Sequence, residues 1–168
     1  MIFDFRYSEG GRPACWLTSQ NPSVEKLILV STSAYALERE KRLFAKFRDI
    51  ESWGDEKRRV FESIYGFDGL SKNFNNWLSE LATLKHFITP EVLQGIQCPT
   101  LILHGDRDVV LDFQHAVFLK KRIQNSKIWM FKTDHNILKN KHIQVNDKIH
   151  EFLLKDQNSQ ESQNPVES

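Results

Sequence analysis

Cysteine is scarce in this chain of 168 residues, which contains only Cys15 and Cys98. Two cysteines cannot form the disulfide framework of a small secreted domain. Both lie among apolar residues, so we expect two buried free thiols and a reducing compartment. An excess of one charge is also absent, because 23 lysines and arginines nearly cancel 22 aspartates and glutamates. The composition therefore does not indicate a nucleic-acid partner, which would require a basic surface.

Long apolar runs are missing as well. No run approaches the length of about 20 residues that spans a bilayer, and the first residues lack the basic and apolar regions of a signal peptide. We therefore expect no membrane partner and a cytoplasmic location for the chain as written, with a mitochondrial location left open for a longer form. Since there is no phosphate loop and no zinc-ligand spacing, we expect no cofactor and no metal ion.

The most informative stretch is CPTLILHGDRDVV, residues 98–110. Its apolar run at 100–103 predicts a buried parallel strand, and the polar turn that follows would lie at the carboxyl end of that strand, where open α/β sheets carry their chemistry. Asp108 is a candidate catalytic acid, with Asp106 as its rival and a plain turn aspartate as the alternative. A metal site at His104, Asp106 and Asp108 is disfavoured, because alternation along an extended segment would separate the three side chains.

A second strand followed by a polar loop comes next in the chain. Residues 127–131 predict this strand, and His135 lies in the loop after it. A helical pattern at 113–122 separates the two strands. An acid after one parallel strand and a histidine after the next would meet at one edge of the sheet.

A third strand and turn lie near the amino terminus. An apolar stub at 2–5 leads into the sequence YSEGG and then into a helical pattern at 12–19, which predicts strand, sharp turn and helix. Ser8 could be the nucleophile of such a turn, with Gly10 as the small neighbour that the turn requires. Arg6 departs from the glycine of the G-x-S-x-G pattern. An ordinary turn serine is the alternative interpretation of Ser8.

The chain order serine, aspartate, histidine is that of the α/β-hydrolases. From about residue 5 to residue 154 the sequence resembles the biphenyl hydrolase-like (valacyclovir hydrolase) proteins. The matching stretches are SEGG (8–11), SIYGFD (63–68), LKH (84–86), CPTLILHGDRD (98–108) and DHN (134–136). The resemblance implies a partial α/β-hydrolase fold with about four parallel strands, flanking helices and a helical cap. It covers only the carboxyl-terminal part of the family, without the first four strands and the loop that supplies the second oxyanion-hole N–H.

The resemblance also implies roles for individual residues. Ser8 would be the nucleophile, His135 the general base and Asp108 the acid that orients the imidazole. The backbone N–H of Glu9 would hold the oxyanion, and the Glu9 carboxylate would attract a substrate ammonium group; support of the helix dipole is its alternative role. Thr133 departs from the family's glycine. The implied activity is hydrolysis of small carboxylic esters, including α-amino acid esters, and the alternative is an inactive, truncated remnant that binds other proteins.

Four segments are predicted. Residues 1–34 carry the elbow and the strand VEKLILVS (24–31), 35–97 the cap, 98–154 the rest of the core and 155–168 a tail that is too polar to fold. In the cap, helical patterns at 56–65 and 71–84 flank a turn at 66–69. Its aromatic residues could line a pocket or pack the helices together (Trp53, Tyr65, Phe67, Phe74, Trp77 and Phe87). The unpaired strand at 2–5 predicts self-association through an exposed sheet edge.

Overall fold

The computed structural model describes residues 2–46, 50, 53–83 and 88–154. The chain divides into two compact units, one formed by Met1–Ala34 with Ile88–Ser168 and the other by Tyr35–Phe87. The strands are β1 (Phe3–Tyr7), β2 (Lys26–Val30), β3 (Thr100–Gly105) and β4 (Ser126–Phe131). The helices are α1 (Gly11–Gln20), α2 (Glu38–Ala45), α3 (Asp55–Tyr65), α4 (Phe67–Thr83), α5 (Pro90–Gly95), α6 (Gln114–Arg122), α7 (Ile137–Asn140) and α8 (His142–Leu154).

The first unit contains one sheet, in the order β1-β2-β3-β4, with every neighbouring pair parallel. This confirms the predicted four-stranded parallel architecture with flanking helices. The register pairs Tyr7 with Val30, Val30 with Leu103 and Gly105 with Phe131. The carboxyl ends of all four strands therefore lie on the same side of the sheet. The segments that follow β1, β3 and β4 start close to one another on that side.

The two central strands are covered on both faces. β2 and β3 are buried along their whole length, as expected for continuous apolar runs in a parallel sheet. One face of the sheet forms an apolar cluster with α7 and α8. The buried residues of this cluster are Ile28, Val30, Leu101, Leu103, Phe131, Ile137 and Val145. Helices α1 and α6 pack against the sheet as well. Burial of each such side chain stabilises the fold by about 1.5–3 kcal/mol, so the core fixes the strand ends from which the site is built.

Two strands run further than their apolar runs predict. β1 extends to Tyr7 rather than ending at residue 5, and β3 extends to Gly105 rather than ending at residue 103. Ladder hydrogen bonds to the neighbouring strands carry the extended backbone into polar sequence, which an apolar pattern cannot reveal. As a result Ser8 follows β1 directly, and His104 lies inside β3.

Three smaller expectations also differ from the structure. The turn predicted at 66–69 is wrong, because α4 already begins at Phe67 and the single residue Gly66, at φ +68°, separates it from α3. Cys98 is half-buried, whereas Cys15 is fully buried as expected, and burial raises the pKa of the Cys15 thiol to about 12. The helical pattern at 142–154 predicts an apolar stripe that includes Ile143, but Ile143 is exposed in α8.

The second unit contains α2, α3 and α4. Ile50 and Trp53 are buried there, with Phe61 and Phe74 packed against them. Trp53 meets the rings of Phe61 and Phe74 edge-on, at 5.7 and 5.5 Å between ring centroids. Trp53 and Phe74 thus pack helices together. The side chains of Phe67 and Trp77, and all of Phe87, lie outside the described residues, as does the LKH stretch at 84–86.

The unit boundary differs from the predicted end of the cap at residue 97. Val92, Leu93 and Ile96 are buried, and α5 packs against α1 and α6 of the first unit. Residues from Ile88 onward therefore belong with the sheet. The predicted disorder at 155–168 lies outside the described residues. In the part of the chain that the structure describes, no helix is long and apolar enough to cross a membrane.

Candidate active site

Ser8 lies directly after β1, at the start of a 3-10 helix, Ser8–Gly10, that continues into α1. Its φ of +53° is in the left-handed region, which costs a non-glycine residue on the order of 1–3 kcal/mol. A strained residue between a strand and a helix is the geometry that is typical of a nucleophile elbow. This backbone conformation places the side chain of Ser8 at the carboxyl ends of the strands.

The glycine that the elbow requires is Gly11 rather than Gly10. A Cβ added to Gly10 would have no neighbour closer than 3.6 Å, which is ordinary contact. A Cβ added to Gly11 would overlap the side chain of Thr32, so only glycine lets α1 approach the end of β2 this closely. The non-glycine residue at position 6 has room, since Arg6 is exposed and its Nε lies 3.1 Å from the Asp4 carboxylate.

The structure brings Ser8, His135 and Asp108 together. The Oγ of Ser8 lies 3.0 Å from Nε2 of His135, and Nδ1 of His135 lies 2.7 Å from Oδ2 of Asp108. The three residues come from segments after three different strands of one sheet, in the arrangement that strand order and register allow. Asp106, the predicted rival acid, is exposed to solvent.

The Asp108 side chain is fully buried and accepts several hydrogen bonds. Its Oδ1 accepts the backbone N–H groups of Val110, at 2.9 Å, and of Leu111, at 2.8 Å. Burial alone would raise the pKa of Asp108, but the hydrogen bonds from His135 and Leu111 outweigh it and hold that pKa below its ordinary value. Asp108 is therefore an anion at neutral pH.

The charge of Asp108 fixes the tautomer of His135. A carboxylate can only accept, so Nδ1 of His135 carries the hydrogen and donates it to Asp108. In the neutral ring Nε2 then holds a lone pair directed at Ser8, whose hydroxyl can donate to it. This arrangement can take a proton from Ser8 and stabilise the resulting imidazolium.

Tyr7 contacts His135, a contact that sequence reasoning missed. Its hydroxyl donates to the backbone oxygen of His135 at 2.9 Å, and its ring lies 5.3 Å from the imidazole. Burial, with smaller effects from the Asp108 and Asp134 carboxylates, raises the pKa of Tyr7, so the hydroxyl keeps its proton. Only the position of Tyr7, next to the serine, could have indicated this contact.

Gly105 lets the loop that carries His135 lie against the end of β3. A Cβ at Gly105 would come within 2.5 Å of the Thr133 oxygen and 2.6 Å of the Asp134 oxygen. The next two amides support the loop, because Asp106 N–H donates to Phe131 O at 2.9 Å and Arg107 N–H donates to Thr133 O at 3.0 Å. The main chain of the GDRD turn thus holds the histidine loop in place.

Glu9 is exposed at the start of the helical segment, and its carboxylate pairs with Arg12. This pairing engages the group that was predicted to attract a substrate ammonium. Among the described residues, no group of three His, Cys, Asp or Glu side chains is placed to hold a metal ion.

Comparison with known proteins gives a consistent relationship. No family model matches the chain. Serine hydrolase BPHL of Mus musculus is 31% identical over 127 residues, and that of Homo sapiens is 28% identical over 127 residues. Each match covers 73% of this chain and 44% of the relative, so the chain spans less than half the length of these curated relatives.

Solved structures share the fold. A putative lipase from Acinetobacter baumannii superposes with a TM-score of 0.68 at 19% identity, over 91% of this chain and 60% of its own. A meta-cleavage product hydrolase from Pseudomonas fluorescens gives a TM-score of 0.66 at 16% identity, over 91% and 64%. The parallel sheet and these comparisons together show that the chain has a partial α/β-hydrolase fold and is related in sequence to serine hydrolase BPHL.

Proposed function

We propose that this chain carries the reacting groups of a serine hydrolase that cleaves carboxylic esters. Ser8 would be the nucleophile, His135 the general base and Asp108 the group that orients and stabilises the imidazole. The observation that carries the proposal is the unbroken series of contacts from Ser8 Oγ to His135 at 3.0 Å and from His135 to Asp108 at 2.7 Å. Support also comes from the strained φ of Ser8, which is typical of a nucleophile elbow.

The proposed reaction has two halves. Ser8 Oγ attacks the ester carbonyl while its proton passes to Nε2 of His135, and the imidazolium then gives this proton to the departing alcohol. Water repeats the sequence on the acyl-enzyme, again with His135 as base, and releases the carboxylic acid. The Asp108 carboxylate stays ionised throughout, in keeping with its lowered pKa.

The oxyanion would form next to the backbone N–H of Glu9. This amide belongs to the first turn of a helical segment, whose dipole favours negative charge at its amino end. A single oxyanion donor is worth on the order of 100- to 1000-fold in rate. In α/β-hydrolases the second donor comes from a loop outside the elbow.

We further propose α-amino acid esters as the substrate class, with Glu9 attracting the ammonium group. Since the Glu9 carboxylate pairs with Arg12, a substrate ammonium would have to share or displace that partner. The Glu9→Gln variant should lower kcat/KM for an aminoacyl ester and leave kcat/KM for its N-acetylated analogue unchanged. An equal effect on both esters would rule out ammonium recognition.

The catalytic proposal is tested with four variants in ester hydrolysis and fluorophosphonate labelling. Ser8→Ala, His135→Ala and Asp108→Asn should each lower the rate by about 1000-fold or more, because the three groups act as a unit. Asp106→Asn is the matched control at an exposed carboxylate of the same turn and should retain the rate. A folded Ser8→Ala variant with wild-type rate would refute the mechanism.

A second candidate function is protein binding without catalysis, through the open edge of the sheet. β1 is the outermost strand on one flank of the described sheet, and its first residue, Phe3, and the residue before it, Ile2, are 50% and 57% exposed. An apolar unpaired edge can pair with a second copy of the chain. In light scattering, Phe3→Lys should then abolish concentration-dependent association, and Ile143→Lys, at an exposed apolar residue of α8, should not. Wild-type protein that is inactive and unlabelled yet associates through β1 would favour this candidate.

A further inference from the structure

His104 is a histidine in the core that the proposed reaction does not use. It lies in β3, and its side chain is fully buried. Its Nε2 is 3.1 Å from the backbone oxygen of Leu111 and 3.6 Å from Oδ2 of Asp108. A carbonyl oxygen can only accept, so Nε2 carries the hydrogen and donates it to Leu111.

The other ring nitrogen of His104 is an unusual group to bury. With the hydrogen on Nε2, Nδ1 holds a lone pair, and it has no hydrogen-bond partner among the described residues. Burial lowers the pKa of His104, against opposing effects from Leu111 and Asp108, and so keeps the ring neutral. The charged or titratable groups that face it are Asp108, His115 and His135. An apolar side chain would fill this place without an unpaired nitrogen, which indicates that the Nε2 donor is the reason for a histidine here.

Leu111 connects His104 to the acid. The N–H of Leu111 donates to Oδ1 of Asp108 at 2.8 Å, while its carbonyl accepts from His104. Both polar groups of one backbone unit are therefore engaged, one by the carboxylate and one by β3. The hydrogen bond from His104 holds the turn of residues 108–111 against β3. This turn determines which carboxylate oxygen of Asp108 faces His135.

We propose that His104 is a positioning residue for the catalytic acid, holding Leu111 so that Asp108 keeps its orientation toward His135. This inference rests on the proposed function, since it assigns His104 a part in the same reaction. His104 acts through Leu111 and does not touch the reacting atoms.

Three variants separate the donor from mere bulk. In His104→Gln the amide nitrogen reaches the place of Nε2 and can still donate to Leu111. In His104→Asn the amide reaches only the place of Nδ1, and in His104→Leu there is no donor. We expect the Gln variant to retain kcat within about 3-fold, and the Asn and Leu variants to lose on the order of 10- to 100-fold in kcat, with KM changed much less, because small misplacement of a catalytic group is costly.

A second readout does not depend on turnover. Amide hydrogen exchange at Val110 and Leu111 should accelerate in the Asn and Leu variants and stay slow in the Gln variant. The Nδ1 proton of His135, observed by NMR, should likewise exchange faster in the Asn and Leu variants and remain protected in the Gln variant. Slow exchange in a folded Leu variant, or equal acceleration in all three variants, would overturn the inference. If the Leu variant does not fold, the Gln and Asn pair decides by the same criterion. If the wild-type protein showed no hydrolysis while the three variants showed this exchange pattern, the proposed function would be refuted. The role of His104 in holding the turn around Asp108 would still stand.

Discussion

The candidate site has two sides. The serine side is residues 7–11, which begin at the last residue of β1, and the acid side is residues 104–111, which begin with the last two residues of β3, together with the His135 loop. The acid side grows from a strand that is buried along its length, and its carboxylate accepts two backbone amides as well as His135. The serine side grows from β1, which pairs with β2 on one flank and has exposed residues along its length. The acid side is thus held by a strand with neighbours on both flanks and by main-chain hydrogen bonds to its carboxylate, whereas the serine side has a neighbouring strand on one flank only.

This difference predicts where substitutions are costly. On the acid side a change should disturb the packing of β3, the histidine loop and hence the stability of the whole unit. On the serine side a change should alter the position of Ser8 with little loss of stability, except at Gly11, which packs directly against Thr32.

The largest effect is expected for Gly105→Ala on the acid side. The new Cβ would collide with the backbone oxygens of Thr133 and Asp134, and backbone cannot rotate away as a side chain can. We expect a loss at or above the upper end of the 1–3 kcal/mol typical of overpacking, measured as the free energy of unfolding in urea. Gly10→Ala, on the serine side with open space around it, is the matched control and should cost less than about 1 kcal/mol. Equal losses in the two variants would contradict the contrast.

The sequence predicts much of this site for a physical reason. Strands buried on both faces must be continuous apolar runs, so β2 and β3 stand out. Parallel strands end on one side of the sheet, so a serine, an acid and a histidine that follow three of them are expected to meet, and the family resemblance favours Asp108 over Asp106 as the acid. The relatives support the superfamily that this order suggested. The distances between the three side chains come from the structure.

The contacts that sequence reasoning missed depend on tertiary packing. The close approach at Gly11 depends on Thr32, which lies 21 positions away, and so a glycine count could not distinguish it from Gly10. The bond from Tyr7 to His135 spans 128 positions. The burial of His104 depends on β3 continuing into polar sequence. None of these contacts has a periodic pattern that the sequence could reveal.

Acidification should weaken the acid side first. Because its hydrogen bonds lower the pKa of Asp108 in the folded state, Asp108 contributes stability that is present above its unfolded pKa of about 3.9 and is lost as pH falls through its lower folded pKa. We therefore expect the free energy of unfolding to fall below about pH 4 in the wild type, and this part of the loss to be missing in Asp108→Asn. Asp106→Asn, which changes an exposed carboxylate, should follow the wild-type curve. If the free energy of unfolding of Asp108→Asn fell below about pH 4 as steeply as that of the wild type, the stability of the turn would not depend on the charge of Asp108.

The smallest effect is expected for Tyr7→Phe, which removes one oxygen from the serine side. The backbone oxygen of His135 loses its donor from Tyr7, a change worth about 0.5–1.5 kcal/mol, while the ring remains to pack beside the imidazole. The unfolding free energy should fall by about that amount. Fluorophosphonate labelling of Ser8 should slow by more than the stability loss alone would produce, because this hydroxyl ties the strand that carries Ser8 to the loop that carries His135. Tyr65→Phe, at an exposed tyrosine of α3, is the control and should change neither quantity. If Tyr7→Phe lost several kcal/mol instead, the serine side would be as firmly built into the core as the acid side, and the contrast would fail.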